Sequence, residues 1–464
     1  MSDTSRRWTD QLGLGPATIA TGNDRQGFLV AAAIGLIALV LLGPMMTNAA
    51  LTLTGEGNVL RQVLYLTVAG LTIYAVWPQA DRQGLVAVSG PVALALAWIW
   101  VSTLWAVNFD ASIRRVFLTT LVVWTVFCIV RNLGYRATAD VLRWCLTGSI
   151  VISYVVVFLD PETGIHLLRD AEMSTAIIGN WRGIFDHKNF AGGAAAICIL
   201  MFLFDSRHIK PVVRIGVIVM AGYFLYCTQS KTSAGMIILA TIAGFIFATV
   251  SVRLRAYLVP FIVVFGVFVW TWISAYSDAI SEGFLNPTSF TGRGHIWSVL
   301  MSYAMDHPWT GAGFGSFWNV GVESPVFSYA TGWVTRVTVG HSGYFDQLAA
   351  VGFPGLILMV FALIVWPLFR LLGSSSISPQ QGALISTMII FCIGHNITES
   401  SLFERDMIVS VFLYFGAAFA QVTTQLTLSE KLGSLGRDPK AAGDEVMKTM
   451  RRRKRRSSRA PLQG

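Results

Sequence analysis

The segment GIFDHKNFAGGAAA (residues 183–196) joins four polar side chains directly to a run of small and apolar residues. Asp186, His187, Lys188 and Asn189 stand immediately before that run, which stays apolar to about residue 205. Such a stretch is typical of a membrane-spanning helix, and polar groups inside a membrane are costly unless they have a function. The segment therefore predicts a transmembrane helix with a functional site at its mouth.

The composition of the whole chain agrees with a membrane protein. Hydrophobic residues make up 54% of the 464 residues and charged residues only 13%, whereas a soluble domain carries about 25% charged residues. A spanning helix needs roughly 20 apolar residues. We predict an all-α, polytopic integral membrane protein with about twelve transmembrane helices, near residues 28–46, 60–78, 84–105, 114–130, 141–159, 190–205, 212–228, 232–250, 256–276, 346–370, 382–398 and 406–426.

The distribution of Lys and Arg predicts the orientation. These residues concentrate on the side of both termini, above all in the C-terminal tail with its MKTMRRRKRRSSR run, so we expect both termini to be cytoplasmic. We expect the tail to bind anionic lipid headgroups, not nucleic acid. The predicted organisation is an N-terminal tail (1–27), helices one to nine (28–276), a large periplasmic loop (277–345), helices ten to twelve (346–426) and a basic cytoplasmic tail (427–464).

The large loop is too rich in aromatic residues to be a simple connector. In GRGHIWSVLMSYAMDHPWTGAGFGSF, apolar residues recur at helical spacing at Ile296, Leu300, Tyr303 and Ala304. Pro308 and the following glycines should end that helix. We expect the loop to fold back onto the membrane surface.

Several motifs in this order resemble the O-antigen ligase and polymerase superfamily. They are GIFDHKNFAG (183–192), TQSKTSAG (228–235), TGRGHIW (291–297), HPWTGAGFGSF (307–317) and HSGYFDQLAAVGFPG (341–355). The resemblance covers roughly residues 180–420. The ITESSLF segment (397–403) is most similar to ExoQ-type exopolysaccharide polymerases.

The resemblance implies a bacterial inner-membrane glycosyltransferase with its active site on the periplasmic face. Its substrate would be a glycan linked to undecaprenyl diphosphate, transferred without a metal or other cofactor to an acceptor hydroxyl. The partners it implies are that glycan, membrane lipids, and as further candidates a flippase and a chain-length regulator.

The chemistry of this transfer suggests a role for each candidate residue. A neutral imidazole can accept the acceptor's proton, and we assign this role to His341. Cations stabilise the departing diphosphate, and the candidates are Arg293, Lys231, Arg182, Lys188 and Arg336. Lys231 departs from the Arg that is common in the family and offers a point charge in place of a bidentate fork.

Two further residues are candidates for binding the substrate or acceptor. They are Asn189 and Glu399, and Glu399 has the alternative of pairing with Arg405. His187 is a further candidate for a functional role. If His341 is not the general base, His187 or Glu399 is the next candidate for that role. The alternative interpretation is structural throughout: an interfacial His, surface Arg residues and a snorkelling Lys.

Other functions remain open at this stage. An O-antigen ligase, which transfers glycan to lipid A core, shares the helices and motifs of a polymerase. A transporter or flippase would show ionisable residues near the bilayer midplane and repeat symmetry between halves, and neither is visible. A non-enzymatic scaffold would leave the Arg, Lys and His residues unexplained. We predict a polymerase, with the ligase as the main alternative.

Overall fold

The computed structural model describes residues 23–42, 57–77, 85–168, 177–251, 254–255, 257, 292–374 and 377–435. Within these ranges the protein is all-α, with only isolated β-bridges outside the helices. The main helices are α1 (Asn23–Leu42), α2 (Val59–Val76), α3 (Gly90–Val101), α4 (Phe109–Leu133), α5 (Tyr135–Leu159), α6 (Lys188–Leu203), α7 (Pro211–Thr228), α8 (Lys231–Thr249), α9 (Arg293–Asp306), α10 (Gly343–Val360), α11 (Pro379–Thr398) and α12 (Ile408–Leu435).

Eight of the described helices are long and apolar enough to cross a membrane, and three shorter apolar helices accompany them. The long set includes the stretch Gly343–Gly373, in which α10 is followed directly by a π-helical turn (Phe361–Val365) and a short helix (Trp366–Gly373). The shorter ones are Gly90–Trp105, Lys188–Leu203 and Ile408–Thr424. Together they match eleven of the twelve predicted spans, and the prediction of an all-α polytopic membrane protein is confirmed. The span predicted at 256–276, like most of both predicted tails, lies outside the described residues.

Helix α6 lies at the centre of the bundle. From Ala191 to Ala196 its residues are all buried, and the helix contacts α5, α7, α8, α11 and α12. The Gly-Gly-Ala-Ala-Ala sequence allows this, because small side chains let neighbouring helix backbones approach closely. A Cβ atom at Gly192 would lie 2.5 Å from Cβ of Ser230, so even alanine would not fit without movement. The apolar half of the opening segment therefore builds the core.

Helices α8 and α11 form the most extensive helix pair, and glycines bring them together. A Cβ at Gly244 of α8 would lie 2.4 Å from a Thr387 methyl, and one at Gly382 of α11 would lie 2.0 Å from the Phe247 ring. At one end of the pair, the hydroxyls of Thr232 and Thr398 are 2.7 Å apart. The beginning of α8 and the end of α11 consequently meet at the same end of the bundle.

The described part of the predicted large loop folds as a compact layer with its own apolar cluster. Helix α9 begins at Arg293 and ends at Asp306, as the apolar spacing predicts, and Ile296, Leu300 and Tyr303 are buried in that cluster. The turn after α9 docks where α10 is interrupted at Gly352 (φ 69°). There the N–H of Phe353 donates to the carbonyl of Pro308 at 2.8 Å. This contact attaches the loop layer to the membrane helices.

Candidate active site

Four helix ends and one turn converge at one place. The first turns of α6 and α8 are in contact through Gly192 and Ser230, and α11 ends beside the start of α8. The guanidinium of Arg293, the first residue of α9, donates to the carbonyl of Thr398 at the end of α11. Helix N-termini carry partial positive charge and free N–H groups, which favour anions. The geometry therefore suits a negatively charged ligand.

Glu399 is the common partner of these segments. Its Oε1 atom accepts a hydrogen bond of 2.6 Å from the Asn189 side-chain amide and one of 3.0 Å from Arg293. The Glu399 side chain is only 5% exposed, whereas that of Arg293 is 19% exposed. The carboxylate thus holds Arg293 in place while leaving part of the guanidinium accessible. Arg405 is the alternative partner predicted for Glu399. In the structure Arg405 pairs with Asp406 instead, and its Nη2 atom lies 3.1 Å from Oδ2 of Asp406.

The surroundings of Glu399 keep its carboxyl ionised. Burial by itself would raise its pKa, but the His341 imidazole and the Arg293 charge outweigh that effect and lower the pKa to about 2. At neutral pH this group is therefore a fixed negative charge beneath the site. It compensates Arg293 and can stabilise a cationic imidazolium next to it.

His341 stands on a constrained turn just before α10. Its φ angle is 53°, in the left-handed region that a residue with a side chain rarely adopts. The preceding Gly340 is held on both sides: its N–H donates to Asp346 at 3.0 Å, and its carbonyl accepts from the Trp297 indole at 3.0 Å. A backbone held in such a conformation by its neighbours is common at active sites.

The turn points the His341 ring at Glu399. Its Nδ1 atom lies 4.0 Å from Oε2 of Glu399, and its side chain is 32% exposed. This distance is longer than a hydrogen bond, but catalytic contacts often tighten only when substrate binds. A carboxylate on the Nδ1 side of a histidine leaves Nε2 for the substrate, as in hydrolase triads.

The two histidines near α6 have a different role from His341. His187 is the N-cap of α6, and its Nδ1 accepts the N–H of Asn189 at 3.2 Å. His166 Nε2 accepts the N–H of Lys188 at 3.1 Å. Burial lowers the pKa of His187 to about 4, although the nearby Glu399 charge opposes this. Because its Nδ1 lone pair is already engaged, His187 is a capping group and a poor base.

Lys188 and Lys231 add positive charge to the same place. The Lys188 ammonium donates to the carbonyl of Gln229 at 3.4 Å, and it is close enough to Lys231, Arg293 and Glu399 to interact with their charges. Lys231 begins α8 and is exposed. Lys188, Lys231 and Arg293 are three cations in a site with one carboxylate, Glu399, and this positive charge suits an anion such as a diphosphate.

Two further predicted cations lie in loops around this cluster. The Nε of Arg182 donates to the carbonyl of Thr163 at 2.8 Å. Arg336 is exposed at the end of a short 3₁₀ helix (Gly332–Arg336), and no contact within the described ranges joins its side chain to Glu399. The structure thus brings together His341, Arg293, Lys188, Lys231, Asn189 and Glu399.

Sequence reasoning missed the residues that hold these groups in position. His166 accepts a hydrogen bond from the N–H of Lys188, and Asp346 accepts one from the N–H of Gly340. The Trp297 indole donates to the carbonyl of Gly340. Trp297 lies in the TGRGHIW motif and Asp346 in the HSGYFDQLAAVGFPG motif. The sequence therefore places both residues near the site, but it does not indicate their hydrogen bonds to Gly340. His166 has no local signal, because it lies 22 positions before Lys188 in the sequence.

The fold and this cluster define a class: a multi-pass membrane protein with a cation-rich site at the ends of its helices. Residues 215–360 match the family model described as O-antigen ligase. This match supports, for that segment, the resemblance to the O-antigen ligase and polymerase superfamily, whose members are glycosyltransferase-like. The comparison with curated proteins finds no match for this chain. The matched segment includes Lys231, Arg293 and His341, whereas Asn189 and Glu399 lie outside it.

Proposed function

We propose that the protein is a polymerase that joins undecaprenyl-diphosphate-linked oligosaccharide repeat units into a surface polysaccharide or exopolysaccharide, in the manner of ExoQ-type enzymes. It would act in the bacterial inner membrane, with both termini cytoplasmic and the site on the periplasmic face. The observation that carries the proposal is the Arg293–Glu399–His341 arrangement, which combines an anion-binding cation and a candidate base. A flippase and a chain-length regulator are the partners that this function calls for.

In the proposed reaction, Arg293, Lys188 and Lys231 bind the donor diphosphate at the helix N-termini. The acceptor hydroxyl oxygen attacks the anomeric carbon and forms the new glycosidic bond, while its proton passes to Nε2 of His341. The bond between the anomeric carbon and the diphosphate oxygen breaks, and undecaprenyl diphosphate leaves with the electron pair. A single displacement of this kind inverts the anomeric configuration.

Glu399 serves both halves of this reaction. Its negative charge stabilises the imidazolium that forms when His341 takes the proton, and its hydrogen bond keeps Arg293 aimed at the diphosphate. Asn189 fixes the carboxylate from the opposite side. We therefore propose that Asn189 and Glu399 orient the reacting groups and reach the acceptor through them. This proposal needs no metal, because the three cations supply the charge that a metal would otherwise supply.

The test is transfer by the purified protein in lipid nanodiscs, with lipid-linked repeat units as the sole glycan and EDTA present. We expect products of two or more repeats together with free undecaprenyl diphosphate, and loss of at least about 10²-fold in rate for Arg293→Ala. Arg214→Ala, at the opposite end of α7 from Gln229, is the matched control and should keep wild-type activity. Transfer to lipid A core alone would identify a ligase, and no transfer to either acceptor would refute the proposal.

A further inference from the structure

A second polar region adjoins the candidate active site. It is a cavity of about 490 Å³, within the usual size of small-ligand sites, bounded by α2, α4, the start of α10 and the 400–407 segment. Four arginines line it: Arg61, Arg114, Arg115 and Arg405. None of the residues in the Glu399 cluster is among its lining residues, so the cavity is distinct from the cation-rich site.

The cavity and the active-site cluster share a wall. Three chain segments each contribute one residue to the cavity and a neighbouring residue to the cluster or its supports. Asp186 lines the cavity and His187 caps α6; Val339 lines it and His341 follows two residues later; Ser400 lines it and Glu399 precedes it. These three segments separate the cavity from the cluster, and one of them carries the candidate base.

The cavity's charges are largely balanced within its own walls. Asp406 pairs with Arg61 at 2.6 Å and with Arg405 at 3.1 Å. Arg115 donates to backbone carbonyls, among them that of Trp318 at 2.9 Å. Asp186, Asp346 and Glu404 supply further carboxyl groups. Burial raises the pKa of Glu404 to about 7, so this group is only partly ionised at neutral pH. Arg61, Arg115 and Arg405 are nevertheless already engaged by groups of the cavity's own walls.

Besides Nη2 of Arg61, which lies in the ion pair with Asp406, three polar atoms of the cavity's lining residues lack hydrogen-bond partners among the described residues. They are Oε1 of Gln347, whose residue is 2% exposed, Nε of Arg61, whose residue is 9% exposed, and Oγ of Ser400. The first is an acceptor, the second is a donor and the third can be both. Buried polar atoms normally find partners, and a hydroxyl group can satisfy both kinds because it donates and accepts. Trp318 adds aromatic surface to the same lining, whereas Tyr65 is buried behind it and donates its hydroxyl to Asp406.

We propose that this cavity binds the acceptor saccharide, as an uncharged, hydroxyl-rich oligosaccharide, and presents its hydroxyl across the shared wall to His341. The inference rests on the proposed transferase function, because it divides the two substrates between two sites. The donor diphosphate occupies the cation-rich cluster, and the acceptor's sugar rings occupy the cavity. Balanced charge, paired donors and acceptors, and aromatic faces are the chemistry that recognises sugars without an anionic group.

The probe is the free oligosaccharide released by mild acid from the host's lipid-linked repeat units and labelled with a fluorophore at its reducing end. It has no diphosphate, so it can act as an acceptor but not as a donor. Thr338 lines the cavity and is exposed, and none of the described side-chain hydrogen bonds involves its hydroxyl. Thr338→Trp narrows the cavity while its carbonyl still accepts from Asn319. Thr331→Trp, an exposed position outside the cavity lining in the same loop layer, is the matched control.

Binding is measured by fluorescence anisotropy, separately from extension of the probe by lipid-linked donor. We expect Thr338→Trp to weaken probe binding and raise the KM for the probe by about tenfold or more, the effect of losing one or two good polar contacts. Gln62→Leu, which removes a polar cavity side chain at similar size, should act in the same direction. Binding of undecaprenyl diphosphate alone should stay within about twofold of wild type for these variants, but fall in Arg293→Ala.

The outcomes separate the cavity from the transferase function. Probe binding that Thr338→Trp weakens, in a protein that transfers no glycan, supports the cavity as a sugar site and refutes the proposed function. Transfer with an unchanged KM for the probe in Thr338→Trp, relative to Thr331→Trp, overturns the cavity proposal and leaves the function standing. No probe binding by the wild-type protein, or loss of undecaprenyl diphosphate binding in place of probe binding, also overturns it.

Discussion

Asn189 and Glu399 are 210 positions apart in the sequence, yet the Asn189 amide donates a 2.6 Å hydrogen bond to Oε1 of Glu399. The same oxygen accepts from Arg293 at 3.0 Å. This one carboxylate therefore ties the mouth of α6 to the end of α11 and to the start of α9. The polar residues of the opening segment thus lie in two places: Asp186 lines the cavity, whereas His187, Lys188 and Asn189 lie at the cluster around Glu399.

Glu399→Gln should lower transfer by about 10²-fold, because the neutral amide no longer compensates Arg293 or an imidazolium at His341. The Asn189 amide can still donate to the Gln carbonyl, so the fold should persist. The measurement is kcat together with the size-exclusion profile in detergent. The matched control is Glu162→Gln, an exposed change in the short helix Pro161–Gly164. Wild-type kcat in Glu399→Gln would contradict an electrostatic role for this carboxylate.

The depressed pKa of Glu399 also makes a prediction about acid stability. Its pKa is about 2 in the folded protein and about 4.5 in the unfolded chain. The unfolded chain therefore takes up this proton first, and the stabilisation is present above about pH 4.5 and lost as pH falls towards 2. The melting temperature of the wild-type protein in detergent should therefore fall as the pH is lowered through that window. In Glu399→Gln the fall should be smaller than in the wild type. Identical acid profiles would contradict the assigned environment.

The raised pKa of Glu404 predicts the opposite pH dependence of stability. Burial raises this pKa to about 7, although the Arg405 charge opposes the effect. Between about pH 4.5 and 7 the unfolded chain releases this proton while the folded protein retains it, so stability falls as pH rises through that window. In Glu404→Gln this part of the decline should disappear, as followed by melting temperature in detergent. A variant that still loses stability to the same extent would show that another group titrates there.

Substitutions of Lys231 test whether the proposed diphosphate site needs only a positive charge at this position or the particular shape of the lysine side chain. Lys231→Ala should weaken use of the lipid-linked donor, whereas Lys231→Arg should retain most activity, because either cation can pair with a diphosphate. The measurement is the KM for the lipid-linked donor. Lys210→Ala is the control, since Lys210 precedes α7 at the end far from Gln229. If Lys231→Arg were as inactive as Lys231→Ala, a role based on charge alone would be wrong.

Hydrophobicity and local spacing were sufficient to predict most of the fold. Apolar stretches indicated eleven of the spans now described, and the period of Ile296 and Leu300 indicated α9. Arg293, His341, Asn189 and Glu399 were identifiable because each stands next to a helix end inside a local motif. These signals act over a few residues, and the chain's hydrophobic pattern records them directly.

The remaining features depend on contacts between distant segments. Asp406 meets Tyr65, 341 positions away, and no local pattern announces that pair or the cavity that both residues line. Arg182 is another example: its Nε donates to the carbonyl of Thr163, 19 positions earlier, a contact that no local pattern indicates. Its role in binding the diphosphate stays a prediction.

His341 is the most direct test of the proposed mechanism. General-base catalysis contributes about 10²–10⁴-fold in rate, so His341→Ala should leave binding of undecaprenyl diphosphate intact while nearly abolishing transfer. His341→Gln should be intermediate, because glutamine can hydrogen-bond the acceptor hydroxyl but cannot take its proton at neutral pH.

His187→Ala should have a smaller effect on kcat, since His187 caps α6 and its Nδ1 is already engaged. His307→Ala, an exposed change beyond α9, is the control. The assay is single-turnover transfer from lipid-linked repeat units with EDTA present, and a His341→Ala protein within a few-fold of wild type would remove His341 from the mechanism and leave Glu399 as the next candidate base.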